Sequence, residues 1–434
     1  MSSTPRTSAW DREGVLASII GRVPLPRMAP VRQSFPDGRL PDLAGAVAAE
    51  LARPEIAATV RPGMRIAVAV GSRGIDRLPL VIGELVRGLR RAGAEPFVFP
   101  AMGSHGGATA EGQLGLLAAL GVTEASVGAP IRSSMETLVV GRAPRGQEVH
   151  VDRLAAEADG IVAVGRVKPH TAFRGPYESG IMKMLAIGMG KRRGAEICHA
   201  EGFGRMAENV AAFGRVVLER TKLLFGLALV ENAYDAACLV EALPRGRIEE
   251  REPELLALAK SRMPRILLPE FDLLVVDRIG KNFSGDGADP NVTGTYCTPY
   301  ASGGPRFERY AILDLSDETH GNCLGVGMAD FTTERLFAKA DFGACYTNAL
   351  TSRVVMHAKL PVVLPSDRLA LQAALYSCVG ADPAAPRVVR IPDTSHLGLI
   401  SVSEALLPEV ARSPGMEAAG MPAELEFDES GDLW

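Results

Sequence analysis

The sequence predicts an α/β protein of two α/β domains with mainly parallel sheets and an active site in the cleft between them. Three observations predict it. At 434 residues the chain exceeds what one ordinary core supports. Its composition, 47% hydrophobic and 23% charged, is that of a globular protein with ample core. Short continuous apolar runs such as MRIAVAV alternate with helical patterns, as in buried parallel strands joined by helical crossovers. Pro264 and the charges before it set the boundary. Residues 1–265 are expected to form an N-terminal catalytic and cofactor-binding domain, and residues 266–404 a smaller C-terminal one. The tail, 405–434, is expected to pack back on the first.

Other classes are disfavoured. The net charge is −4 with no long basic run, which argues against nucleic acid as a partner. Six cysteines are scattered without a C-x-x-C pair, so neither a disulfide framework nor a zinc ribbon is expected. The first residues lack the basic start and apolar core of a leader, and no 18-residue apolar run follows. A cytoplasmic protein without a membrane partner is the expectation.

In the first domain, DLAGAVAAELARPEIAATV has the apolar spacing of one or two helices on its outside. Met64–Val70 reads as a buried strand, PLVIGELVRGLRRAGA as a helix ended by Gly93, and EPFVFP as the next strand. The turn Gly71-Ser72-Arg73-Gly74 ends the first strand, at the sheet edge where open α/β sheets gather ligands. Arg73 there is either a phosphate or carboxylate ligand or a surface residue of a polar turn. The second strand leads to GSHGGAT, which puts His105 in a tight loop before a helix, for catalysis or for loop hydrogen bonding. METLVVG and EVHVD form a strand pair in which His150 is an ordinary strand residue. ADGIVAVGRVKPH ends in His170, at the C-terminal end of another strand.

The stretch GRVKPHTAFRGPYESGIMKMLAIGMGKRRGAEICHAEGFG follows, too often interrupted by glycine and by Pro176 to be one helix. It holds His170, Lys183 and His199, side chains able to bind a metal, a proton or an electrophilic carbon. Beyond it come a helix (GRVVLERTK), two strands (LLFGLALVE, CLVEALP) and a charged helix around EEREPELLALAKSRM. The second domain opens with the strand FDLLVVDRIG and the loop KNFSGDGADPNVTG, led by Lys281 and Asn282, a ligand loop or a solvated turn. Helices at DFTTERLFAKA and SDRLALQAALYSC and strands at PVVLP and PRVVRIP complete it. His320, His357 and His396 are read as structural or solvent-exposed.

The dinucleotide fingerprint G-x-G-x-x-G is missing after the first strand, as are H-E-x-x-H and three-histidine zinc spacings. What remains is His105, His170, Lys183 and His199 in glycine-rich sequence. In GSHGGAT, VKPHTAFRG and SGIMKMLAIGMGK…H the chain resembles the nickel-dependent lactate racemase family of 2-hydroxy acid racemases and epimerases. The resemblance implies a nickel pincer nucleotide, pyridinium-3-thioamide-5-thiocarboxylic acid mononucleotide, tethered to Lys183 and supplied by cofactor-biosynthesis enzymes. It implies His199 as the nickel ligand, and His105 and His170 as paired acid and base. Ser72 and Arg73 would contact cofactor or substrate, and Lys281 the substrate carboxylate. The expected activity is inversion at C2 of a small-molecule 2-hydroxy acid by reversible hydride transfer.

The chain departs from the lactate-specific pattern. Val70 stands where the family has Asp, Gly74 where it has Pro, and the second-domain loop differs, so an acid larger than lactate is expected. Two alternatives are an oxidoreductase using a diffusible pyridine nucleotide and a non-catalytic homologue without cofactor.

Overall fold

The computed structural model describes Trp10, Asp11 and residues 14–434. Most of the leader reading falls on residues outside these. The chain divides into two compact units, Pro36–Met263 and Met1–Phe35 with Pro264–Trp434. Both are mixed α/β with mostly parallel sheets. No helix among the described residues is long and apolar enough to cross a membrane.

The Pro36–Met263 unit is built on a five-stranded sheet. Its order is Glu95–Pro100, Arg65–Val70, Gly160–Arg166, Leu223–Glu231, Ala237–Pro244. The first four run parallel and Ala237–Pro244 closes the edge antiparallel. Both faces are buried, which is why MRIAVAV shows no polar alternation. Ile66, Val68 and Val70 pack with Val81, Ile82 and Leu85 of the Leu78–Arg91 helix, and with Leu43 and Val47. Ala67 and Ala69 face Ile181, Met182, Leu185, Phe213 and Leu255 on the other side. Thr137–Arg142 and Glu148–Asp152 form a separate hairpin, in which His150 Nδ1 lies 2.9 Å from Thr137 Oγ1. The Ile248–Arg262 helix tolerates Pro253 because the Glu249 carbonyl that proline leaves unpaired accepts the Tyr177 hydroxyl at 2.9 Å.

The other unit holds an eight-stranded sheet. Val362–Leu364, Phe331–Thr333, Arg309–Leu315, Leu273–Ile279 and Val388–Ile391 run parallel. Leu399–Ser403, Met28–Gln33 and Met416–Ala418 extend it antiparallel. This division differs from the expected one in two ways. The Met28–Gln33 strand puts the described residues before Pro36 in the second unit, not in a domain of residues 1–265. The tail stays there too, since Met416–Ala418 pairs with that strand and Leu433 N–H donates to Asp367 at 2.9 Å. DFTTERLFAKA is a short strand before a helix: Thr333 caps Glu334–Lys339 by accepting from Leu336 N–H.

Candidate functional site

The parallel strands of the Pro36–Met263 unit deliver three loops to one sheet edge. Arg65–Val70 lies between the other two strands, so the Ser72-Arg73 turn is flanked by the loops of His105 and His170. Ser72 is half-buried and Arg73 exposed.

The His105 loop turns through Gly103, at φ 57°, and is pinned by Gln113, whose amide donates to the Gly103 and His105 carbonyls at 2.9 and 3.3 Å. Thr109 then caps the Ala110–Ala119 helix, accepting from Gly112 N–H. The His105 ring is exposed, and its Nδ1 lies 2.8 Å from the Met102 carbonyl. A carbonyl only accepts, so Nδ1 carries the proton and Nε2 presents a lone pair.

His170 is held the opposite way. Its Nδ1 accepts from Ala172 N–H at 3.0 Å, so the neutral ring carries its proton on Nε2. Glu178, fully buried, organises this loop. It accepts from His170 N–H at 2.8 Å, Arg174 at 3.3 Å and the Lys260 ammonium at 2.7 Å. Phe173 packs on the imidazole with ring centres 4.5 Å apart, and Phe203 lies 6.1 Å from the rings of both His170 and His199. Burial, and then the charge of Lys183, Lys168, His199 and Arg174, hold His170 well below the usual histidine range. His170, Lys183 and His199 thus share one electrostatic neighbourhood.

Lys183 ends a short helical turn, Ile181–Lys183, that runs into a π-helical turn at Met184–Gly188. Gly188 is needed for packing: a Cβ there would sit 2.6 Å from the Ala101 carbonyl oxygen. Gly103 N–H donates to the Gly188 carbonyl at 3.0 Å, joining the His105 loop to the lysine segment. Glu252, almost wholly buried, receives Met182 N–H at 3.0 Å at the start of that turn, and burial raises its carboxyl to about 7. His199 ends the Lys191–His199 helix and its Nδ1 lies 2.7 Å from the Ala195 carbonyl. Its proton is therefore on Nδ1, and Nε2 carries a lone pair suited to a metal. Cys198 is buried, and burial pushes its thiol up to about 12, so it packs here as a protonated thiol.

Lys281 belongs to the other unit, where its ammonium donates to the Gly285 carbonyl at 2.6 Å. Sequence reasoning missed Glu178, Glu252 and a fully buried Lys191–Asp152 ion pair at 3.0 Å. The only signal for the first was an acid eight residues after His170 in the glycine-rich stretch; the partners of the others are distant in sequence.

Residues 41–210, which contain every one of these site residues except Glu252 and Lys281, match the lactate racemase N-terminal domain. That domain is what the chain shares with lactate racemases. The lactate racemase apoprotein from Thermoanaerobacterium thermosaccharolyticum is a solved structure it resembles, at 14% identity and a TM-score of 0.43, over 85% of this chain and 89% of that one. A comparison with curated proteins found no match.

Proposed function

We propose that the chain is a nickel-dependent isomerase, a racemase or epimerase of a 2-hydroxy acid larger than lactate. The supporting observation is the convergence of His170, Lys183 and His199 within a lactate racemase domain. The residues fit the family's nickel pincer nucleotide. Lys183 would hold it covalently through its amine, and the unprotonated Nε2 of His199 would ligate nickel, its ring fixed by the Ala195 carbonyl at Nδ1. When bound, that group supplies an electrophilic ring able to accept and return the hydride of C2.

The chain's own residues handle the proton and the carboxylate. A base must take the hydroxyl proton as C2 becomes planar, and inversion needs one on each face. His105 offers its Nε2 lone pair for one face. His170 meets the other face with Nε2–H, and becomes a base there only when Nδ1 lets go of Ala172 N–H and takes the proton. The two directions of reaction are therefore unequal in what they ask of the protein. Phe173 and Phe203 line the His170 side of the site. Arg73 is suited to the carboxylate, and Lys281, in the other unit, is a second candidate for that role.

Intact-mass analysis of chain co-expressed with cofactor-making enzymes tests the assignment. An adduct on Lys183 is expected, and its absence would sink the reading. A panel of single-enantiomer 2-hydroxy acids tests the substrate; lactate as the sole good substrate would rule out the larger acid.

A further inference from the structure

The unit of Met1–Phe35 and Pro264–Trp434 carries a second cluster of ligand-type side chains, none of them assigned to the site above. Asp286, from the loop after Leu273–Ile279, Cys297 and His357 each bring one ligand atom within 4.8 Å of the other two. The three come from separate segments, so the fold, not local sequence, assembles them. Cys297 and His357 are buried and Asp286 is half-buried.

Two further observations point to a ligand. His357 is 3% exposed, its Nδ1 lies 3.2 Å from Asp286 Oδ1, and its Nε2 has no hydrogen-bond partner. A buried imidazole nitrogen left unpaired is costly and uncommon. The Tyr310 hydroxyl, 1% exposed, is also buried without a partner. It lines, with Asp286 and Cys297, a small cavity with room for about one water molecule. One sulfur, one imidazole nitrogen and one carboxylate oxygen, with space for a solvent ligand, is a donor set for a tetrahedral divalent ion of intermediate softness.

We propose that Asp286, Cys297 and His357 hold one divalent cation of the zinc class, with a water in the cavity as its fourth ligand. The ligand separation has to contract by about 1 Å from its widest value to reach the spacing of donors around zinc, within reach of side-chain rotation. Cys297 must bind as thiolate, its proton passing to solvent. Burial pushes that thiol up to about 12 without a cation, so the ion replaces the proton as the partner of the sulfur.

The test uses the full chain made without cofactor-making enzymes, stripped with chelator and titrated with Co²⁺. About one equivalent should bind with a near-ultraviolet thiolate charge-transfer band and the intense visible bands of tetrahedral cobalt, and Zn²⁺ should displace it. Cys297→Ser should abolish the charge-transfer band, and His357→Ala should weaken binding at least tenfold. His199→Ala should leave both unchanged, which separates this site from the proposed nickel ligand. A saturated wild-type chain with no thiolate band would overturn the proposal whatever the variants do. So would a band that survives Cys297→Ser.

Discussion

Lys191→Met isolates the element that ties the two halves of the candidate site together. Lys191 is wholly buried, at φ 52°, a backbone conformation that a non-glycine residue adopts only when its surroundings hold it there. Its ammonium donates to the Pro100 carbonyl and to Gln113 Oε1 at 3.0 Å, and pairs with Asp152 at 3.0 Å. Gln113 in turn holds the His105 loop, and Asp152 N–H donates to Met189 in the lysine segment at 2.7 Å. Removing the cation leaves the buried Asp152 carboxylate uncompensated, which costs about 3–5 kcal/mol. For a unit of this size that is roughly a 6–20 °C fall in melting temperature.

The charge, not the lost packing, should carry most of this, and pH separates the two. Burial already raises the Asp152 carboxyl while Lys191 opposes it. Without Lys191 its folded pKa rises further above the unfolded value of about 4. Stability conferred by a raised pKa is present below the unfolded value and lost as pH climbs through the folded one. The deficit of Lys191→Met against wild type should therefore shrink as pH falls from 7 towards 4. Adding Asp152→Asn, which keeps the cap on Leu154 and Ala155, should recover stability. The assay is denaturant unfolding of wild type, both single variants and the double variant at several pH values. A deficit independent of pH, with additive single effects, would refute the reasoning.

Other expectations follow from the same geometry. Lys183→Met should raise the His170 pKa by removing the largest charge acting against its protonation, read by NMR titration of the imidazole; an unmoved or lower value contradicts the shared neighbourhood. Glu252→Gln should leave stability little changed below pH 5 and raise it by up to about 3 kcal/mol near pH 9, since a carboxyl at about 7 loses its favourable term as pH rises through that value. Equal unfolding midpoints at pH 9 would show that the carboxylate is not strained there. Gly188→Ala should cost about 1–3 kcal/mol, because its Cβ meets a backbone oxygen that cannot swing away, and calorimetry measures it.

What was legible in the sequence divides along physical lines. Strands buried on both faces announce themselves, because Met64–Val70 and its partners can be apolar throughout; so do helices with one apolar stripe, such as Leu78–Arg91. The loops at their ends inherit a position from that topology, which is why His105 and His170 could be placed at one sheet edge. Met28–Gln33 could not be seen. It carries Pro30 and Arg32, and only its pairing with Leu399–Ser403 and Met416–Ala418, some 370 to 390 residues later, makes it a strand. The buried charges were invisible for a related reason. Lys191 and Asp152 look like ordinary surface residues until a fold puts Pro100 and Gln113 around them. Protonation states depend on still finer detail. That His105 shows a lone pair where His170 shows a proton is decided by whether each Nδ1 faces a carbonyl or an amide. Two histidines in loops at one sheet edge look alike in sequence, and their roles part only at that last hydrogen bond.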